Sequence, residues 1–133
     1  MNGADVFLDS NVLLYLLSDD ETKAGRTQEL IEAGPFISVQ VLNEFVAVAR
    51  RKFRLTWPET RVALDPIKDV CKILVLTRDI HERALSIAEE TNLSIYDANI
   101  VAAAAFAGCH TLFTEDLNTG QRISGVRIRN PFA

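Results

Sequence analysis

Soft metal ligands are nearly missing from this chain of 133 residues, which has only two cysteines and two histidines. Cys71 and Cys109 lie far apart with no partner ligand beside either, which excludes a disulfide framework and a zinc site; both read as reduced core thiols. His81 and His110 belong to no ligand-spaced cluster. Long apolar runs are missing too. The longest uncharged stretch, Ala98 to Thr114, falls short of the ~20 apolar residues that cross a bilayer and contains Asn99, Gly108 and His110, so no membrane segment is expected. Met1-Asn2-Gly3-Ala4-Asp5 lacks the basic flank of a secretory signal, and Val12 to Leu17 is too short for its apolar centre, so the expected location is the cytoplasm. Positive charge is also in short supply. A formal net charge of -4 is the wrong sign for a protein that adheres to nucleic acid by bulk charge.

What is present describes an ordinary globular domain. At 48% hydrophobic and 24% charged residues, with no repeat and no low-complexity tract, residues 1–133 are expected to form one domain. Such a chain buries roughly two-thirds of the surface that it exposes when unfolded. Short apolar runs at Asp5–Leu8, Phe36–Val39, Lys72–Leu76 and Thr111–Thr114 read as strands, and the alternation Val126-Arg127-Ile128-Arg129 as a sheet edge with one wet face. Between them, helical spacing predicts a short helix from Ser10 and longer ones over about Glu21–Ala33, Gln40–Phe53, Trp57–Val70, Asp79–Thr91 and Asp97–Ala107. A short polar helix or turn is expected around Asp116–Arg122. Strands separated by helices call for right-handed crossovers, hence an α/β fold: a three-layer α/β/α sandwich on a mostly parallel five-stranded sheet. In such sheets ligands bind beyond the carboxyl ends of the strands, where the winding reverses.

Acidic residues stand at those places. Asp9 ends the run Val6-Phe7-Leu8, Asp116 follows the fourth strand, and Asp97 heads the small-residue helix. Each has a structural role open to it as a helix N-cap. Glu44 resists that reading: Val41, Ala47 and Val48 flank it at helical spacing, no Lys or Arg is within helical reach, and a carboxylate in apolar surroundings needs a cation from elsewhere. Carboxylates gathered together raise one another's pKa, an arrangement that makes sense chiefly when a divalent ion neutralises them. Oxygen-only ligands select Mg²⁺ or Mn²⁺.

The segments Phe7-Leu8-Asp9-Ser10-Asn11-Val12-Leu13, Leu42-Asn43-Glu44-Phe45, Ile95-Tyr96-Asp97-Ala98-Asn99-Ile100 and Leu112-Phe113-Thr114-Glu115-Asp116-Leu117 resemble the four motifs of PIN domains, in order and over nearly the whole chain. The resemblance is nearest to the VapC-like toxins of type II toxin–antitoxin systems. It implies a metal-dependent endoribonuclease using Mg²⁺ or Mn²⁺, an RNA substrate, a homodimer and a small antitoxin partner. It also implies that Asp9, Glu44, Asp97 and Asp116 are the catalytic metal ligands, with Asn11, Thr114 and Glu115 as polar neighbours that position ligands or water.

RNA needs a positive track in spite of the net charge. Arg50, Arg51, Lys52 and Arg54, at the far end of the Glu44 helix, form the densest basic cluster, with Arg122, Arg127 and Arg129 as a sparser second group. Basic residues in a last helical turn also favour the helix dipole. Two other functions compete. One is a non-catalytic interaction module whose acidic pocket receives a basic partner segment. The other is aspartate-dependent phosphotransfer, against which stand Asn11 where a haloacid-dehalogenase pattern needs a second Asp, and the lack of any Lys after Lys72 for a receiver domain.

Overall fold

The computed structural model describes residues 5–133; Met1 to Ala4, most of the segment inspected for a secretory signal, lie outside them. Parallel strands β1 (Val6–Leu8), β2 (Phe36–Ser38), β3 (Lys72–Leu74), β4 (Thr111–Phe113) and β6 (Val126–Arg129) form the expected sheet, and a short β5 (Arg122–Ile123) adds an antiparallel edge. The strand order is β3-β2-β1-β4-β6-β5. The sixth strand lies where the polar helix or turn was expected to end. Ser124 and Gly125 have φ of 51° and 80°, the left-handed pair that closes a two-residue hairpin, so Arg122 and Ile123 fold back onto β6.

Every residue of β1 and β4 is buried, although successive side chains point to opposite faces, so both faces of the central sheet are covered. The covering helices are α1 (Ser10–Leu13, continued by a 3-10 turn Leu14–Leu17), α2 (Glu21–Glu32), α3 (Val39–Arg51), α4 (Trp57–Val70), α5 (Arg78–Thr91) and α6 (Ile95–Phe106). No helix among the described residues is long and apolar enough to cross a membrane.

Local chemistry sets the boundaries. Thr56 and Glu59 form a reciprocal capping box at the start of α4, with Pro58 in its first turn. α6 begins two residues before Asp97, because the Ser94 hydroxyl takes the cap and accepts the Asp97 N–H at 3.1 Å. This corrects the expectation that Asp97 heads the helix: Ser94 takes the cap position, and Asp97 stands in the first turn with its own N–H capped. Asp116 caps no helix either, since none follows it. Asp9 alone of the candidate acids caps a helix, accepting from the Ser10 N–H at 2.7 Å.

After β1 the chain lays β2 and β3 on one side, then crosses back to place β4 on the other. The winding therefore reverses between β1 and β4, and Asp9 and Thr114 to Asp116 follow directly on those two strands. α6 packs against α5 and reaches β2, β4 and β6. It does so with Ala102, Ala103 and Ala104, all fully buried, whose small side chains let the helix approach closely. Enlarging one of them should lift the helix that carries Asp97. We expect Ala103→Leu to lower stability by about 1–3 kcal/mol in urea denaturation; an unchanged midpoint would mean that this packing has room to spare.

Candidate functional site

Asp9 is the fixed point of the site. Its backbone N–H donates to Phe113 O at 3.1 Å, so the β1–β4 ladder runs on past the last strand residue. One carboxylate oxygen accepts the Ser10 N–H, and the other accepts the Thr114 hydroxyl at 3.0 Å and the Asn11 amide at 3.4 Å. The side chain is only 4% exposed. Burial pushes its pKa up to about 6; the hydrogen bonds from Ser10 and Thr114 oppose the rise, and the charges of Glu44 and Asp116 add to it.

Thr114 Oγ1 joins the two halves of the crevice. It donates to Asp9 and accepts from Asn11 Nδ2 at 3.0 Å and from the Asp116 N–H at 3.1 Å, which uses the one donor and two acceptor positions of a hydroxyl. Asn11 Oδ1 accepts the Glu115 N–H at 3.1 Å, so both ends of that amide hold the post-β4 loop. These polar neighbours thus fix where Asp9 and Asp116 stand relative to each other.

Glu44 and Asp97 come from the two helices on the far side. Glu44 is half-buried and Ala47 is exposed, so its flank is less apolar than the helical spacing suggested. Its neutral partner is Gln40, whose amide donates to Glu44 Oε1 at 3.0 Å and to Tyr96 O at 3.0 Å, tying α3 to the first turn of α6 immediately before Asp97. Asp97 is partly buried; that burial, then the charge of Asp116, holds its pKa above the usual carboxylate range, against the Ser94 hydrogen bond. Asp116 is exposed. Electrostatically the four acids are linked in series, Glu44 to Asp9, Asp9 to Asp116, and Asp116 to Asp97.

No Lys or Arg forms an ion pair with any of the four among the described residues. Nor do three His, Cys, Asp or Glu side chains there stand close enough to clasp an ion as they are. The four share one electrostatic environment without forming a closed cage. The donor set consists of carboxylate oxygens lacking a protein counter-charge, one of them almost fully desolvated, which is the chemistry that Mg²⁺ or Mn²⁺ satisfies.

Glu115 is set apart from that group. Its carboxylate accepts from Lys23 Nζ at 3.0 Å and from the Tyr15 hydroxyl at 2.5 Å. Lys23 also donates to the Tyr15 hydroxyl at 3.1 Å and lies over the Tyr15 and Phe132 rings. The hydrogen bonds to Tyr15 and Glu115 raise the Lys23 pKa to about 12. Glu115, expected as a polar neighbour of the ligands, forms an ion pair with Lys23 beside the site.

The basic cluster after α3 is divided. Arg50 donates to Leu55 O at 2.7 Å and stacks on Trp57 at 4.2 Å, so it secures the turn into α4. Arg51 and Arg54 are exposed. Lys52, which caps the end of α3, lines with Asn11, Tyr15, Val48 and Glu115 a cleft of about 210 Å³. Gln40, Tyr15 and Lys23 were not anticipated. Gln40 left a trace in the sequence, four residues before Glu44, whereas the other two meet Glu115 only through the fold.

The pKa of Asp9 has a consequence for stability. The folded chain binds that proton more tightly than the unfolded one, where the value is the ordinary 3.8. The stabilisation from the proton is therefore complete below that value and is lost as pH rises to about 6. Metal-free protein should melt lower at about pH 7.5 than at about pH 5, and Asp9→Asn should flatten the difference. Thermal melts in chelator check this; identical profiles for the two proteins would exclude Asp9 as the group responsible.

A family model described as PIN domain matches residues 6–122. No curated protein sequence is matched by the chain. Among solved structures, a toxin–antitoxin complex from Klebsiella pneumoniae contains a chain 26% identical to this one, with a TM-score of 0.70, covering 95% of this chain and 97% of that one. VapC20 of Mycobacterium tuberculosis, described as a Sarcin-Ricin loop cleaving toxin, is 22% identical with a TM-score of 0.63 over 84% of this chain and 91% of that one. VapBC2 from Rickettsia felis, bound to a DNA fragment from its promoter, is 17% identical with a TM-score of 0.72 over 94% and 97%. At those last two identities the likeness speaks for the fold alone.

Proposed function

Because the chain belongs to the PIN domain family, we propose that it is a metal-dependent endoribonuclease of the cytoplasm and the toxin of a toxin–antitoxin pair. The observation that carries this reading is the run of four electrostatically linked carboxylates, Glu44, Asp9, Asp116 and Asp97, at the reversal point of the sheet with no basic side chain paired to them. Those residues would hold Mg²⁺ or Mn²⁺, which when bound lowers the pKa of a water and offsets charge on the RNA phosphate.

The rest of the site positions these groups. Thr114 and Asn11 orient the Asp9 carboxylate, Gln40 orients Glu44, and Ser94 holds Asp97 in the first turn of α6, within the field of Asp116. Lys23 and Tyr15 occupy Glu115, which keeps a fifth carboxylate out of the ligand set. Lys52 would supply positive charge in the cleft that Asn11 and Glu115 also line. A small antitoxin partner is part of the same reading, in keeping with the Klebsiella complex, and so is a homodimer. Exposed Trp57, Val62, Val75, Tyr96 and Phe106 offer apolar surface for such contacts.

Purified protein incubated with RNA and Mg²⁺ or Mn²⁺ should cleave it, and chelator should stop the reaction. Asp9→Asn and Asp97→Asn should abolish cleavage, whereas Asn11→Ala and Gln40→Ala, which only orient ligands, should reduce it about 10–100-fold. Undiminished, chelator-resistant cleavage by both aspartate variants would overturn the assignment. Metal binding with no cleavage of any RNA would instead favour a non-catalytic module that receives a basic segment.

A further inference from the structure

The β5–β6 hairpin carries three arginines whose charge no ion pair balances among the described residues. Along β6, Val126 and Ile128 are buried while Arg127 and Arg129 are exposed, so both guanidinium groups leave the same face of the sheet. Arg122 on β5 is directly opposite Arg127 in the antiparallel register. Like charges directly opposite on paired strands destabilise the pairing, and their Cβ atoms stand only about 4.5–5.5 Å apart. Ion pairs among the described residues are Lys23–Glu115, Arg26–Glu29 and Arg78–Glu82, and none of the three arginines takes part. Among the described residues none makes a side-chain hydrogen bond either; Arg129 approaches the Phe113 ring at 6.0 Å. In a chain of net charge -4, unpaired arginines held side by side are not a by-product of abundant positive charge.

The hairpin is rigid and adjoins the acids. β6 is held on both sides: Ile128 donates to Gln121 O at 2.8 Å and accepts from Gly120 N at 2.7 Å, while Arg127 N donates to His110 O at 2.8 Å on the β4 side. Arg129 stands in register with Phe113, and its carbonyl accepts the N–H of Thr114, whose hydroxyl holds Asp9. The arginine stripe therefore ends one strand away from the site and runs back along β6. Next to Arg129 a cleft of about 330 Å³ opens against α2, with Val6, Leu30 and Phe113 on its floor and the already paired Arg26 and Glu29 at its rim.

Resting on the ribonuclease reading, we propose that this hairpin seats the single-stranded RNA flanking the cleaved bond, with Arg122, Arg127 and Arg129 on successive phosphates. A polyanion relieves the Arg122–Arg127 repulsion, and three preset cations on a rigid ribbon bind a backbone without reading its bases. Arg50, anchored to Leu55 and Trp57, is less free for that task.

The test is fluorescence anisotropy of a labelled single-stranded RNA with the full chain in chelator, titrated across a range of salt. Replacing all three arginines by Gln should weaken binding at least tenfold at low salt and make the log–log salt slope shallower by about 2, and replacement by Lys should restore the slope. The Gln variant should melt no lower than the parent, because the lost groups make no hydrogen bonds and repulsion is removed. Unchanged affinity and slope would overturn the proposal. So would a lower melting temperature, which would make the arginines structural, or intact RNA binding with loss of a co-purifying protein, which would assign the hairpin to that partner. Cleavage does not enter the measurement, so failure of the nuclease reading would appear separately, as absent hydrolysis with the slope change intact.

Discussion

Like charges do not gather unless something rigid makes them, and here that constraint is met by one hydroxyl. Thr114 Oγ1 links Asp9 after β1 to Asp116 after β4, with Asn11 closing the loop between them. Asp9 and Thr114 extend the sheet ladder directly, through the Asp9 N–H to Phe113 O and the Thr114 N–H to Arg129 O. The repulsion between the carboxylates is thus borne by main-chain pairing across the reversal point of the sheet. Burial does the rest. The same position that fixes Asp9 removes it from water and raises its pKa, so the unmet charge of the site arises from the packing that holds the fold together.

Much of this was legible in the sequence, and the reason is geometric. Asp9 and Asp116 follow short apolar runs, and a residue directly after a parallel strand lies at the carboxyl edge wherever the strand ends up in the sheet. The parallel strand set could be read for the same reason. Glu44 was found through its lack of a nearby cation, which held, although its surroundings are wetter than a helical wheel implies because Ala47 faces solvent. Asp97 feels the charge of Asp116, but its helix starts two residues earlier than expected: Ser94 takes the cap, and a serine three residues before an acid is the pattern that marks it.

What could not be read depends on contacts between distant positions. Lys23 meets Glu115 across 92 residues and Tyr15 meets it across 100, and no local pattern reports either. The basic groups illustrate the same limit. Counting charges along the chain favours Arg50 to Arg54, where four of five residues are basic. Geometry reorders them, because Arg50 is taken up by Leu55 and Trp57, whereas Arg122 and Arg127, apart in the sequence, become direct neighbours through a two-residue turn. A like-charged pair is visible only once the register is known.

The distribution of charge around the crevice then follows one logic. Of the five carboxylates near the reversal point, Glu115 is neutralised within the protein by Lys23, and the other four are not. Of the arginines at the neighbouring edge, Arg26 is neutralised by Glu29, and Arg122, Arg127 and Arg129 are not. The sheet keeps the leftovers from pairing with each other: the arginines leave one face of the β5–β6 hairpin, while Asp9 and Asp116 follow the ends of β1 and β4 and Glu44 and Asp97 stand on helices. Two unsatisfied charges of opposite sign are therefore held apart at fixed spacing, which keeps the folded chain from collapsing onto its own site. A ligand that carries both a cation for the acids and an anionic backbone for the arginines satisfies them together, and a metal-bound nucleic acid strand has that composition.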